Sequence, residues 1–168
     1  MMKESISSIT PVFNTRRMVS DYWHKIYVPT VARGNRFMAN HFEVASKVAS
    51  YKQFIRDNWS AVHVRKVDIL ENSCSRIELN KTTFIAEVEL GAIRHKDVRV
   101  EAVGSDGRRG IWKVKLEPVN QVAKGLYIYE GVTSDIPINV WDANVNVRVT
   151  PISPDFANHF EMELAVWG

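Results

Sequence analysis

The side chains of this 168-residue chain best placed for acid–base, nucleophilic or metal chemistry are five histidines, one cysteine and a few closely spaced glutamates. Metal sites need ligands that converge. His24, His41, His63, His95 and His159 form no HxxxH or HExxH arrangement, and no cysteine pair supports them. Cys74 sits in the polar, turn-like stretch ENSCSRIE and reads as an unreactive thiol. Glu87 and Glu89, and Glu161 and Glu163, are spaced i, i+2 within strand-like runs, so each pair shares one strand face. Apolar residues alternate with them, which predicts a wet face, ordinary carboxyl titration and poor general acids. GSDGRRG, residues 104–110, has the wrong spacing for a phosphate loop and precedes a strand-like run, so it reads as a hairpin turn at Asp106-Gly107. There is no GxSxG elbow. The aromatic residues offer one further chemistry. Tyr127, Tyr129 and Trp141 form a candidate stacking platform for sugar rings, because a flat ring has a large apolar face and a polar edge. Leu126 and Ile128 make the opposite strand face apolar too, so alternation alone does not say which face is core; packing in the core is the competing reading.

The elements that carry these residues fall into two halves with different periods. Residues 1–58 read as helical. A short helix is expected over Lys3–Ile9, closed off by Pro11. Asn14 or Thr15 caps a second helix, since a short side-chain oxygen accepts from the free amides of the first turn. Met18, Val19, Tyr22, Trp23, Ile26 and Tyr27 then make an apolar stripe, and Pro29 is expected to end it. A long helix follows over residues 35–58, with Phe37, Val44, Val48, Tyr51 and Ile55 on one side, and cover by this helix is the alternative to an exposed stripe. From Trp59 the period becomes two. Val62 and Val64, then Val67 and Ile69 after a slip at Arg65-Lys66, predict a strand with a bulge. Further alternating runs centre on Phe84–Leu90, Val98–Ala102, Trp112–Leu116, Leu126–Ile128, Val145–Val149 and Phe160–Val166. Such short strands at regular spacing predict an antiparallel, immunoglobulin-like β-sandwich behind the helical segment, an α+β chain. The expected domains are 1–58 and 59–168.

Composition narrows the classes. The 22 Lys and Arg are interspersed with 19 Asp and Glu, for a net charge of +3, and no run of like charge points to nucleic acid. One cysteine permits no internal disulfide and fits a reducing compartment. The opening MMKESISSIT lacks the apolar core of a signal peptide, and no apolar run reaches the roughly 20 residues of a membrane helix. Neither nucleic acid nor membrane is an expected partner, and the expected location is the cytoplasm.

The stretch MKESISSITPVFNTRRMVSDYWHKIYVP resembles the final helical stretch of the catalytic core in bacterial α-glucan (glycogen or starch) phosphorylases. Met2, Lys3, Ser5, Ile6, Pro11, Phe13, Arg17, Met18, Val19, Tyr22, Tyr27 and Pro29 carry that likeness. The β-rich remainder resembles the C-terminal extension of the shorter bacterial and archaeal enzymes at Leu90, Gly91, Asp97, Val98, Val147, Arg148, Val149, Pro151, Pro154, Glu161, Leu164 and Trp167. His95 departs from the usual Pro. The resemblance implies a pyridoxal-phosphate enzyme that cleaves α-1,4-glucan with inorganic phosphate. The cofactor's Gly-Thr-Ser-Asn-Met-Lys-like stretch lies upstream in that family and is not in this sequence, so no catalytic, cofactor or metal residue is assigned here. The implied role is a non-catalytic C-terminal part with structural contacts to the catalytic domains. Met18, Trp23 and Tyr27 then form a candidate core-docking stripe, which could also drive self-association. The second reading is a carbohydrate-binding β-sandwich module that tethers α-glucan.

Overall fold

The computed structural model describes residues 2–72, 81–105, 110–133 and 145–168. Cys74, the Asp106-Gly107 turn and Trp141 lie outside the described residues. The chain divides into two compact units, 1–50 and 51–168, so the last turns of the long helix belong with the β-rich unit.

The helical unit starts with α1, Met2–Ile9, and α2, Thr15–Tyr22. Asn14 joins them. Its side-chain oxygen accepts from the Arg17 amide at 2.8 Å, while its Nδ2 donates to the Thr10 carbonyl at 2.9 Å. One residue thus caps the new helix and satisfies a carbonyl at the end of the old one. Pro29 does not stop the helix as expected. Trp23–Tyr27 winds as a π turn in which the Val28 amide bonds back to the Trp23 carbonyl, and α3, Val28–Asn58, follows directly. Pro29 therefore occupies a first turn, where its missing donor costs least. The expected single face of residues 35–58 is also interrupted. Ala39 is extended, and Asn40, His41 and Phe42 have left-handed backbone with φ of 50°, 54° and 63°. Phe37 consequently lies on a different helical segment from Val44 and Val48.

The β-rich unit begins with the last turns of α3 and a 3-10 turn, Trp59–Ala61. Its strands are β1 His63–Asn72, β2 Lys81–Glu89, β3 Val98–Ser105, β4 Ile111–Ala123, β5 Leu126–Thr133, β6 Asn146–Pro151 and β7 Val166–Trp167. They form one antiparallel seven-stranded sheet in the order β1-β2-β5-β4-β3-β6-β7. The long β4 turns the corner. Its first half pairs with β3 and its second half with β5, with register shifts at Pro118/Asn120 and Gln121/Ala123. Bulges of this kind raise local twist and let a sheet fold over on itself. Gly168, just past β7, lies against the Val64 side chain of β1, so the sheet is nearly barrel-shaped. The bulge expected at Arg65-Lys66 is present as a register shift between Val64 and Lys66.

Alternation sends Phe84, Ala86 and Val88 of β2, Val98, Val100 and Ala102 of β3, Leu116, Tyr129, Val147 and Val149 inward, where Ile55, Trp59 and Met162 join them. The strand expected over Phe160–Val166 is mostly a turn, and only Val166–Trp167 pairs with β6. Local bonds compete successfully there: the Glu163 amide donates to the Phe160 carbonyl at 2.9 Å, and Glu163 has a φ of 57°. Among the described residues no helix is long and apolar enough to cross a membrane.

Tyr51 ties the end of α3 to two loops of the β-rich unit. Its hydroxyl donates to the Ile152 carbonyl at 2.7 Å and lies 3.3 Å from the Asp97 carbonyl, and its ring meets Phe156 with centroids 5.8 Å apart. Tyr51→Phe keeps the ring and strips the donor from half-buried carbonyls. It is expected to cost about 1–2 kcal/mol in urea denaturation, with the slope of the transition unchanged.

Candidate functional site

Two surfaces collect side chains beyond what folding requires. The first belongs to the helical unit. Met18, Trp23 and Tyr27 are exposed, Trp23 at 57%, and neither α2 nor the π turn contains a buried residue. The part of α3 in this unit does not cover the stripe. Ile6, Phe13, Val19, Tyr22, Ile26 and Val31 extend the apolar exposure along the unit. Helices this short gain most of their stability from burying an apolar face, and here that face is exposed.

The second surface lies on the outward face of β3, β6 and β7. Register places Glu101, Arg148 and Trp167 in one cross-strand row, because Glu101 pairs with Arg148 and Arg148 with Trp167. An Arg148 Nη donates to Glu101 at 2.5 Å, with side chains only 12% and 13% exposed. The Arg148 guanidinium lies 5.5 Å from the Trp167 ring centroid and 5.3 Å from that of Phe160. Both rings remain half open to solvent. Arg99 lies 3.8 Å from Glu101, and its Nη1 lies 2.9 Å from His159 Nε2. The sequence pattern missed this cluster. Phe160 was expected inside, in phase with Met162, and it is exposed because the 158–163 turn rotates it out. Arg148 alternating with Val147 and Val149 was the available signal.

The other charged groups serve the fold. Glu89 takes Arg65 Nε at 2.8 Å across β1 and β2. Glu161, expected on a wet strand face, instead accepts from Lys52 Nζ at 2.7 Å and from the Ala157 amide, which pins the 157–161 turn to the end of α3. Asp97 is buried and held by Arg94 through Nε at 2.6 Å and Nη2 at 3.1 Å. The carboxylate holds the Arg94 guanidinium above its ordinary value, through the hydrogen bond first and the charge second. No three potential metal ligands converge among the described residues.

Tyr127 and Tyr129 share the core-facing side of β5. Tyr129 is 1% exposed and offers no ring face to solvent, while Tyr127 is partly buried with its ring 5.5 Å from that of His95. Burial, before any charge effect, pushes the Tyr129 and Tyr51 hydroxyls well above tyrosine's ordinary value. A raised folded-state value favours the protonated form. The stability is therefore complete below about pH 10, where unfolded tyrosine ionises, and falls as pH rises further. Alkaline titration followed by circular dichroism is expected to show that loss, with a shallower slope in Tyr129→Phe.

Residues 59–168 match the family described as the glycogen phosphorylase C-terminal domain. The chain is 27% identical to maltodextrin phosphorylase of Thermococcus litoralis over 99% of its own length and 20% of that protein. It is 25% identical to glycogen phosphorylase of Mycobacterium tuberculosis over 98% of its own length and 19% of that protein. The chain thus spans about one fifth of the curated relatives it matches. The β-rich unit with its corner-turning β4, preceded by the exposed helical stripe, is the region those relatives share, and the chain belongs to the glycogen phosphorylase C-terminal domain family.

Proposed function

We propose that this chain is the non-catalytic C-terminal part of a pyridoxal-phosphate-dependent α-1,4-glucan phosphorylase, and that it acts in the cytoplasm by making structural contacts with the catalytic domains. The observation that carries this reading is the helical stripe: an apolar surface built on capped helices, with no buried residue in α2 or the π turn. The catalytic domains of the same enzyme are the proposed occupant, because the relatives extend about four fifths beyond the shared region. The proposed working boundary is 58/59, where the residue period changes. Strand order supports an immunoglobulin-like reading of the β-rich unit. With β1 to β7 taken as A to G, the sheet reads A-B-E-D and then C-F-G, joined at the corner strand.

The carboxylate-paired lysines do not fit a Schiff-base role toward pyridoxal phosphate. Lys52 is 25% exposed, but it is committed to Glu161 and lies 5.5 Å from the Phe156 ring centroid. Lys25, Lys47, Lys66 and Lys115 pair with neighbouring carboxylates at the surface. A lysine that forms a Schiff base needs a desolvated setting that lowers its affinity for a proton, and Lys66 is instead held above its ordinary value by Asp68.

The test is co-purification of the tagged chain with the catalytic portion of a phosphorylase from the same source. Retention by the unaltered chain is expected, with a loss of roughly tenfold or more in Trp23→Asp and Tyr27→Asp. Equal retention of these variants, or none by the unaltered chain, would overturn the docking reading.

A further inference from the structure

The two units differ in charge. Residues 1–50 carry seven Lys and Arg against three Asp and Glu, a net of +4, while residues 51–168 carry fifteen against sixteen, a net of −1. Part of the positive charge stands where the fold disfavours it. Arg16 and Arg17 lie in the first turn of α2, which holds no acidic residue. Aligned peptide dipoles make that end of a helix positive, so cations there lower its stability. Both arginines are exposed, and neither side chain has an ion-pair or hydrogen-bond partner among the described residues. Asp21, the carboxylate of α2, is held by Lys25 at 3.2 Å instead. Arg16 precedes Val19 by three residues, so on the helix surface it borders the exposed apolar stripe.

We propose that Arg16 and Arg17 are the electrostatic part of the docking surface, and that the patch they meet on the catalytic domains is apolar with a border of carboxylates. This rests on the docking reading proposed above and names the chemistry of its partner. The other cations of the unit show what the fold alone arranges: Lys25 and Lys47 pair with carboxylates one turn away, and Arg33 lies over the Phe37 ring. Two arginines that break a local rule with no gain inside the chain follow the pattern of functional positions. Arginine also suits the task, because its planar guanidinium is always charged, is weakly hydrated, and matches a carboxylate with two parallel bonds. Reversing these charges moves folding and docking in opposite directions. Arg17→Glu puts a carboxylate three residues after the Asn14 cap, where it can accept from the Asn14 amide, and at the helix end that favours negative charge. The helix gains while the proposed contact is lost.

The experiment measures association and dissociation of the whole chain on an immobilised catalytic portion of a phosphorylase from the same source, at about 0.05 M and about 0.5 M salt. The double variant Arg16→Glu, Arg17→Glu is expected to associate roughly tenfold more slowly at the lower salt. Most of that difference should vanish at the higher salt, because ions screen exposed charges. Its helical circular dichroism and thermal midpoint should equal or exceed those of the unaltered chain. The charge-conserving pair Arg16→Lys, Arg17→Lys should keep most of the association rate. Trp23→Ala, which changes no charge, should instead speed dissociation at both salts. Docking of the unaltered chain with rates that neither salt nor the double variant alters would overturn the charge inference and leave the docking reading standing. No docking by the unaltered chain would remove both. A loss of helical signal in the double variant would also count against the inference, since the arginines would then serve the fold. Sedimentation with vesicles of phosphatidylcholine and phosphatidylserine, about three to one, tests an anionic membrane as the partner. No co-sedimentation is expected, and arginine-dependent co-sedimentation would overturn the assignment to a protein surface.

Discussion

Glu101→Ala is expected to destabilise the β-rich unit by about 3–5 kcal/mol. Glu101 and Arg148 are each nearly nine-tenths buried. Their mutual attraction has to compensate the loss of water around both charges. Truncating the carboxylate leaves the Arg148 guanidinium under Phe160 and Trp167 with no counter-charge, and leaves Arg99 beside it with the same sign. Arg148→Ala strands the carboxylate in the same way, although Arg99 remains within 3.8 Å of it, so its cost should be smaller. The double variant Glu101→Leu, Arg148→Met removes both charges and preserves volume. It should fall within about 1 kcal/mol of the unaltered protein. Urea denaturation of the two single variants and the double variant measures this directly, and additive single and double losses would show that the pair is not coupled.

Gly125→Ala is expected to cost roughly 3 kcal/mol, from two causes that add. Gly125 follows β4 with a φ of 80°, where an L side chain is strained, and an added Cβ would sit 2.6 Å from the Gly91 carbonyl oxygen. The backbones meet here for a reason: the Leu90 amide donates to the Gly125 carbonyl at 2.6 Å, which closes the end of the β2–β5 ladder. Gly91 has a φ of 58°, so both partners use backbone that favours glycine. Gly110→Ala separates the two causes. Gly110 has a φ of 86°, but nothing lies within 4 Å of its added Cβ, so only the conformational part of about 1 kcal/mol should appear. Equal losses at Gly110 and Gly125 would show that the close approach to Gly91 carries no cost.

Much of the architecture was legible because it follows from local rules. Asn14 caps because its short side chain reaches an amide three residues on. The strands were visible as period-two alternation because one side of each is buried, and the slip at Arg65-Lys66 marked a bulge because an extra residue must disturb that alternation. The errors fall where neighbours overrode local preference. Pro29 reads as a stop, yet the π turn before it removes the need for its donor. Phe160–Val166 alternates like a strand, yet Glu161 is drawn to Lys52 and the turn forms instead.

For the candidate sites the division is similar. The stripe of Met18, Trp23 and Tyr27 was readable because helical spacing alone puts it on a surface; only the structure decided that the helical unit leaves it uncovered. The Tyr127–Tyr129 face was readable as a unit but not as core or surface, because both faces of β5 are apolar, and the curvature of the sheet decided that Tyr129 is inside. The Arg148 cluster was signalled only by the alternation of Arg148 with Val147 and Val149, which does not name its partners. It joins β3, β6, β7 and a turn, and their proximity depends on strand order and register, which arise from non-local pairing. The sequence by itself determined the two-part α+β character, the caps and the strand faces, since these depend on residues a few positions apart. The tertiary structure decided which faces meet, because burial is a property of the neighbours and not of the residue.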